Sequence, residues 1–148
     1  MPLLRPTRSP NSACRFEQGC DGPLRQTARM SASSDSAAPL LVACLCAAWC
    51  RTCGDYRVTF DSLAAEFRLQ ARFVWIDIED DADALGEVDV VDFPTLMLSR
   101  GDSIGFFGPV LPHAQTARQL LQRALQGQLA QVKDASLAGL PQRIGALR

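Results

Sequence analysis

The chain has 148 residues, of which 47% are hydrophobic and 21% charged, so it has room for one ordinary domain with a buried core. Its formal net charge of −1 excludes the strong basic excess of a protein that binds nucleic acid electrostatically. The longest apolar run, residues 37–50, is too short to cross a bilayer, so we expect no membrane partner.

Residues 1–38 are rich in proline and serine and show no apolar periodicity. An arginine- and serine-rich leader is typical of an organelle-targeting extension, but the alternative is that translation starts at Met30. We favour the second alternative and predict that residues 1–38 are a disordered or mis-annotated extension. Because we find no convincing export signal, we expect a cytoplasmic protein.

A change of pattern at Pro39 marks the start of the folded region. Residues 40–46 form a continuous apolar run and predict a strand buried on both faces. Apolar side chains at intervals of three and four predict a helix over residues 56–67. Residues 73–79 are aromatic and β-branched and predict a second strand, followed by an acidic loop with a short helix near residues 82–88.

The second half of the domain begins with a hairpin. Residues 95–99 and 103–107 predict two strands, and Gly101-Asp102 between them is a turn signal. Residues 113–125 then carry alanine and leucine at helical spacing and predict the last helix.

The order of these elements predicts an α/β fold. A strand–helix–strand unit implies a parallel strand pair with a right-handed crossover, and the hairpin adds antiparallel strands. We therefore predict a mixed four-stranded sheet with a helix on each face over residues 39–127. Residues 128–148 are weakly patterned, and we predict a weakly structured tail.

Four of the six cysteines fall within ten residues, at Cys44, Cys46, Cys50 and Cys53. Cys50 and Cys53 are separated by two residues at the predicted start of the first helix, which brings their sulfurs within disulfide reach. The helix N-terminus and the neighbouring Arg51 favour the thiolate form of Cys50. Cys50 is therefore the candidate attacking sulfur, and Cys53 is the candidate resolving cysteine that releases a mixed disulfide.

A second candidate element is Phe93-Pro94, immediately before the third strand. A proline is tolerated at the first residue of a strand. If the peptide bond is cis, it exposes the backbone of Phe93 as an edge for an extended substrate.

The ordered set of motifs over residues 39–126 resembles the thioredoxin family. The motifs are Trp49-Cys50-Arg51-Thr52-Cys53 after an apolar strand, Asp77-Ile78-Glu79 at the end of a strand, Phe93-Pro94-Thr95-Leu96, and Gly108 after the hairpin. Each motif alone is modest, but their order and spacing together are specific.

The resemblance implies a minimal thioredoxin-like fold with Cys50 as nucleophile, Cys53 as resolving cysteine and Pro94 as the cis-proline of a substrate groove. It also implies that Trp49 shields the sulfurs, that the partners are protein disulfides and a recycling reductase, and that the protein is a monomer. We expect no cofactor and no resident metal. The expected substrate contacts flank the cysteines and the proline and are Trp49, Arg51, Thr52, Phe93 and Pro94.

Three departures from the family pattern concern the redox chemistry. Cys44 stands where a buried aspartate is usual, and Trp75 stands where its lysine partner is usual. A buried carboxylate that accepts the proton of the resolving thiol is therefore absent. Because Arg51-Thr52 replaces the usual Gly-Pro, the family's redox potential cannot be assumed.

Two alternatives to a thiol–disulfide oxidoreductase stay open at this point. The first is a redox-inactive module that binds peptides in the groove beside Pro94. The second is a metal-binding protein, since four cysteine thiolates suffice for zinc or an iron–sulfur cluster. Cys44 and Cys46 point to the same side of an apolar strand, which favours a core position for both.

Overall fold

The first strand, β1 (Leu40–Cys46), lies inside a four-stranded sheet in the computed structural model, which describes residues 38–147. The strand order is β2-β1-β3-β4, where β2 is Ala71–Asp77, β3 is Thr95–Arg100 and β4 is Ser103–Pro109. β1 pairs in parallel with β2 and antiparallel with β3, and β3 and β4 form an antiparallel hairpin. The predicted mixed sheet is confirmed. The prediction for the N-terminal extension falls almost entirely on residues 1–37, which lie outside the described residues.

Within residues 38–147, five helical segments connect and cover the sheet. They are α1 (Arg51–Phe67), α2 (Ala82–Leu85), α3 (Ala114–Leu125), a 3-10 helix (Ala135–Leu137) and α4 (Leu140–Gly145). Within residues 38–147, no helix has the length and apolar character needed to cross a membrane.

The second strand begins and ends two residues earlier than predicted, at Ala71–Asp77. Its parallel pairing with β1 runs from Leu40 opposite Ala71 to Cys46 opposite Asp77. Beyond this point the Asp77 carboxylate accepts a hydrogen bond from the Glu79 amide at 3.0 Å and closes a turn. The Ile78 amide still donates to the Cys46 carbonyl of β1 at 2.8 Å, and the chain turns away from the sheet at residue 79 although its composition suits a strand.

One face of the sheet is covered by both long helices. Alternate β1 side chains point to this face, and the buried positions of α1 recur every three or four residues. The Arg118 guanidinium of α3 also binds the Glu66 carboxylate of α1 at 2.8 Å. The cluster includes Val42, Cys44, Cys46, Cys53, Tyr56, Phe60, Leu63, Ala117 and Leu121.

The opposite face is covered by the short segments α2, the 3-10 helix and α4. Both faces of the sheet therefore carry helices, as predicted. The expectation of a weakly structured tail over residues 128–148 is corrected, because this segment forms two short helices with buried side chains. The apolar side chains that the tail supplies make it part of the core, because the sheet's second face would otherwise be exposed to water. The cluster includes Ala43, Leu45, Ile76, Leu85, Met97, Leu137, Leu140 and Ile144.

Hydrogen bonds attach this C-terminal segment to the rest of the domain. The Arg143 side chain donates to the carbonyl oxygens of Ala84 and Leu85 at 2.8 Å and 3.2 Å, which satisfies acceptors at the end of α2. The Val132 amide donates to the carbonyl of Ile104 on β4 at 2.7 Å. The folded region therefore extends well beyond the predicted limit of residue 127.

Candidate active site

Cys50 occupies the N-cap position of α1. Its backbone is extended, with φ −81° and ψ 108°, and its Sγ accepts a hydrogen bond from the Cys53 amide at 3.4 Å. The Cys50 amide in turn donates to the carbonyl of Ala47 at 2.9 Å, which closes the turn after β1. The sulfur thus lies at the N-terminal end of the helix, which is the positive end of the helix dipole.

Cys50 and Cys53 differ in accessibility. Cys50 is half-buried, whereas Cys53, one turn into α1, is only 1% exposed. Burial and hydrogen bonds with the Cys46 and Cys50 side chains raise the pKa of Cys53, and a hydrogen bond with the Ala47 backbone partly opposes them. Cys50 can therefore meet a partner from solvent, while Cys53 is kept inside as a protonated thiol.

An aromatic pair lies beside the cysteines. Trp49 is 67% exposed, and its ring contacts that of Phe93 edge-on, with centroids 5.5 Å apart. Phe93 and Cys50 pack against the same core cluster. The structure therefore brings the Trp-Cys end of the motif and the segment before β3 to one place, although they are more than 40 residues apart in sequence.

The remaining predicted substrate contacts border this pair. The peptide bond between Phe93 and Pro94 is cis, and the Pro94 ring is buried, with its carbonyl accepting from the Val110 amide at 3.0 Å. Arg51 and Thr52 are exposed on the first turn of α1.

The residues that replace the family's buried ion pair are direct neighbours. Cys44 on β1 lies opposite Trp75 on β2. The Trp75 ring packs against Phe60 and lies 4.7 Å from the Arg57 guanidinium, a cation–π contact. No aspartate or glutamate among residues 38–147 is buried, so no carboxylate in this part of the chain is enclosed beside Cys53.

Cys44 and Cys46 on β1 belong to the same core cluster as Cys53. Both are buried, and their sulfurs are 3.6 Å apart on one face of β1. Sequence analysis placed both cysteines in the core, where the structure also has them. Over the described part of the chain, no three His, Cys, Asp or Glu side chains are grouped to hold a metal ion, so the metal-binding alternative gains no support there.

Tyr56, the only tyrosine in the chain, is a site neighbour that sequence analysis missed. It is 1% exposed, and its hydroxyl has no hydrogen-bond partner among the described residues. Burial is the main cause that raises the pKa of this hydroxyl, with smaller contributions from the neighbouring Cys44 and Cys46 side chains. A tyrosine with these surroundings stays neutral in the folded state.

We expect the Tyr56 hydroxyl to ionise only well above its ordinary pKa of about 10. Since the chain has one tyrosine, the ultraviolet absorbance of tyrosinate reports this group alone. Because the folded-state pKa is raised, the contribution of Tyr56 to stability is fully present below a pH of about 10 and is lost as the pH rises further.

The matched control is Tyr56→Phe, which should show a weaker loss of stability at alkaline pH. The same titration in urea should return the ordinary pKa. An ordinary pKa in the native protein would mean that Tyr56 is exposed to solvent, contrary to the structure.

Comparisons with known proteins agree with this geometry. The family model described as Thioredoxin matches residues 27–119, which is more than half of the chain. No curated protein sequence matches the chain.

Solved structures show the same fold. The germline-specific thioredoxin Deadhead of Drosophila melanogaster is 20% identical, with a TM-score of 0.53 over 66% of this chain and 90% of that one. The thioredoxin of Fasciola hepatica is also 20% identical, with a TM-score of 0.54 over 59% of this chain and 82% of that one. Mitochondrial thioredoxin 3 of Saccharomyces cerevisiae is 18% identical, with a TM-score of 0.51 over 67% and 88% of the two chains. The match to the family model, the shared fold and the arrangement of the two cysteines agree, and the chain belongs to the thioredoxin family.

Proposed function

We propose that the protein is a thiol–disulfide oxidoreductase that reduces disulfides in protein substrates. The observation that carries the proposal is the unequal pair at the start of α1, where a half-buried Cys50 caps the helix and accepts a hydrogen bond from the backbone amide of the buried Cys53. An accessible attacking sulfur with a protected resolving sulfur is what two-step exchange needs.

The reaction proceeds in two exchanges. The Cys50 thiolate attacks one sulfur of the substrate disulfide, forms a mixed disulfide, and the other substrate sulfur leaves as a thiolate. Cys53 then loses its proton and attacks Cys50 Sγ, so that a Cys50–Cys53 disulfide forms and the second substrate thiolate is released. Two electrons pass to the substrate, and a recycling reductase restores the dithiol.

The substrate is proposed to lie across the aromatic pair and the neighbouring backbone. Trp49 offers an exposed ring, which is typical of residues that anchor a protein partner. Phe93 packs with Cys50 against the same core cluster, Pro94 follows it at the start of β3, and Arg51 and Thr52 are exposed on the first turn of α1. We further propose that the protein works as a monomer in the cytoplasm, where glutathione and thioredoxin systems keep dithiols reduced.

A trapping experiment tests this mechanism. Cys53→Ser removes the resolving sulfur, so mixed disulfides at Cys50 should persist. They should appear on non-reducing gels as adducts that dithiothreitol cleaves. The wild-type protein, mixed with the same disulfide-bonded protein, should show almost none. Cys53→Ala avoids burying a hydroxyl and serves as a second trapping variant.

The double variant Cys50→Ser/Cys53→Ser is the matched control and should form no adduct. If neither single variant traps a partner, the exchange mechanism is wrong. A redox-inactive peptide-binding module would then be the better account of the exposed aromatic pair.

A further inference from the structure

Strand β2 forms one edge of the sheet. It pairs with β1 on one side, and within residues 38–147 no strand lies on its other side. The strand contains no proline, and its register with β1 shows no bulge, so it lacks two of the features that usually block pairing at an exposed edge. Its backbone can therefore pair with a further strand.

The backbone groups on the open side of β2 follow from its pairing with β1. The Ile78 amide donates to the Cys46 carbonyl, and in a strand the backbone groups of successive residues point alternately to the two sides. Even-numbered residues of β2 therefore face β1, whereas the amides and carbonyls of Phe73 and Trp75 face outward. In the described part of the chain, no residue hydrogen-bonds these outward groups.

The open edge has a definite length. At its far end the Asp77 amide, which also faces outward, donates to the Asp81 carboxylate at 3.1 Å. At its near end the strand begins at Ala71, directly after the turn that follows α1. The unpaired stretch therefore runs from Ala71 to Trp75 and matches a segment of five extended residues.

A groove follows this open edge. It has a volume of about 320 Å³ and is lined by Arg57, Arg72, Phe73, Val74 and Trp75. Successive side chains of a strand point to opposite faces of the sheet, so a groove that touches four consecutive residues of β2 runs along the edge itself. Its lining combines aromatic surface with two guanidinium groups.

The charge of the groove is positive. The Arg57 guanidinium lies 4.7 Å from the Trp75 ring and is partly neutralised by the exposed Asp61 at 3.2 Å. The exposed Arg72 side chain donates to two backbone carbonyl oxygens near the C-terminus, and these neutral acceptors do not compensate its charge. A segment that carries carboxylates would therefore be attracted to this edge.

We propose that the open edge of β2 is a docking site for an extended, acidic segment of a partner protein. The segment adds a fifth strand to the sheet through backbone hydrogen bonds with Phe73 and Trp75. Its carboxylates lie near Arg57 and Arg72, and its apolar side chains cover the exposed parts of the two aromatic rings.

The composition of the chain and the strand order support this assignment. Residues 1–37 carry five arginines against three acidic residues, so the chain's own N-terminal segment does not complement a positively charged groove. The edge of β2 lies on the far side of β1 from β3, which begins next to the Phe93-Pro94 bond. The docking site therefore shares no lining residue with the redox site, and the proposal does not depend on the chemistry of Cys50.

Amide hydrogen exchange tests the pairing residue by residue. The probe is a short synthetic peptide in which valine alternates with glutamate, with both ends blocked, added to the full chain. The amides of Phe73 and Trp75 should exchange fast in the free protein and slow down when the peptide is added. The amides of Val74 and Ile76 face β1, so they should exchange slowly in both states.

A pair of substitutions at Phe73 separates backbone pairing from side-chain contact. Phe73→Pro removes an outward N–H that the sheet does not use, and proline is tolerated at such positions of edge strands. Phe73→Ala removes the same ring but keeps the N–H. Peptide binding, measured by fluorescence anisotropy of a labelled probe, should persist in the alanine variant and be lost in the proline variant.

The charge requirement has its own controls. A peptide with lysine in place of glutamate should not bind. Arg72→Gln should weaken binding of the glutamate peptide about twofold to fivefold, as expected for an exposed ion pair, whereas Arg72→Lys should restore most of the affinity. Both variants lose the guanidinium contacts with the C-terminal carbonyls, so a purely structural effect would weaken binding equally in the two.

Three results would overturn the proposal. They are unchanged exchange at Phe73 and Trp75 with millimolar peptide, equal binding of the glutamate and lysine peptides, and undiminished binding by Phe73→Pro. If the same two amides became protected at high protein concentration without peptide, the occupant would be a second copy of this chain, and the assignment to a partner segment would be wrong.

Discussion

Cys50→Ser is expected to abolish disulfide reduction and leave the fold intact. A serine hydroxyl stays protonated at neutral pH and does not attack a disulfide, so the covalent intermediate cannot form. The rate at which dithiothreitol reduces insulin in the presence of the variant should fall to the rate without protein. Serine is also a preferred N-cap residue, and its oxygen can accept the hydrogen bond that the Cys53 amide now donates to Cys50 Sγ.

The matched control is Cys50→Ala, which removes the nucleophile and the cap together. Both variants should be inactive, but the alanine variant should be less stable than the serine variant by about 1 kcal/mol in urea unfolding. A Cys50→Ser variant with substantial activity would show that another group attacks the substrate. If both variants were largely unfolded under the assay conditions, their inactivity would be explained by unfolding and not by the loss of the Cys50 nucleophile.

Local sequence was sufficient to predict the outer part of the site. Two residues between cysteines at a helix start determine that Cys50 caps the helix and that Cys53 lies one turn inside it. The packing of Cys53 into the same core cluster as Cys44 and Cys46 could not be predicted in this way, because it depends on how α1 lies over the sheet. The usable signal was that β1 runs into the motif with Cys44 and Cys46 on the same face.

The mixed four-stranded sheet was predicted, but the part that the C-terminal segment plays in covering its second face was not. Strands β1, β3 and β4 lie close to their predicted positions. Their signals are apolar runs and a turn sequence, which can be recognised from residues that are adjacent in the chain. Helix α4 has six residues, which is too short to show a helical period. Its burial comes from contacts with a sheet about 40 to 100 residues away in sequence, so composition alone indicated a tail.

Leu140→Ala tests whether this C-terminal segment belongs to the core. Leu140 is fully buried in the cluster that contains Leu45 of β1 and Met97 of β3. Truncating a buried leucine removes apolar burial and leaves a cavity, at a cost of about 2–5 kcal/mol. Since a domain of this size is stable by about 5–15 kcal/mol, the midpoint of urea unfolding should fall clearly.

The matched control makes the same chemical change on the surface. Leu69, in the turn after α1, is 89% exposed, so Leu69→Ala should change the free energy of unfolding by less than about 0.5 kcal/mol. Equal effects of the two substitutions would mean that residues 128–148 are not part of the folded core. A large effect at Leu140 alone would also bear on the site, because Leu45 lies between Cys44 and Cys46 on β1 and faces the cluster of Leu140. The C-terminal segment would then support, from behind, the strand that holds two of the four sulfurs.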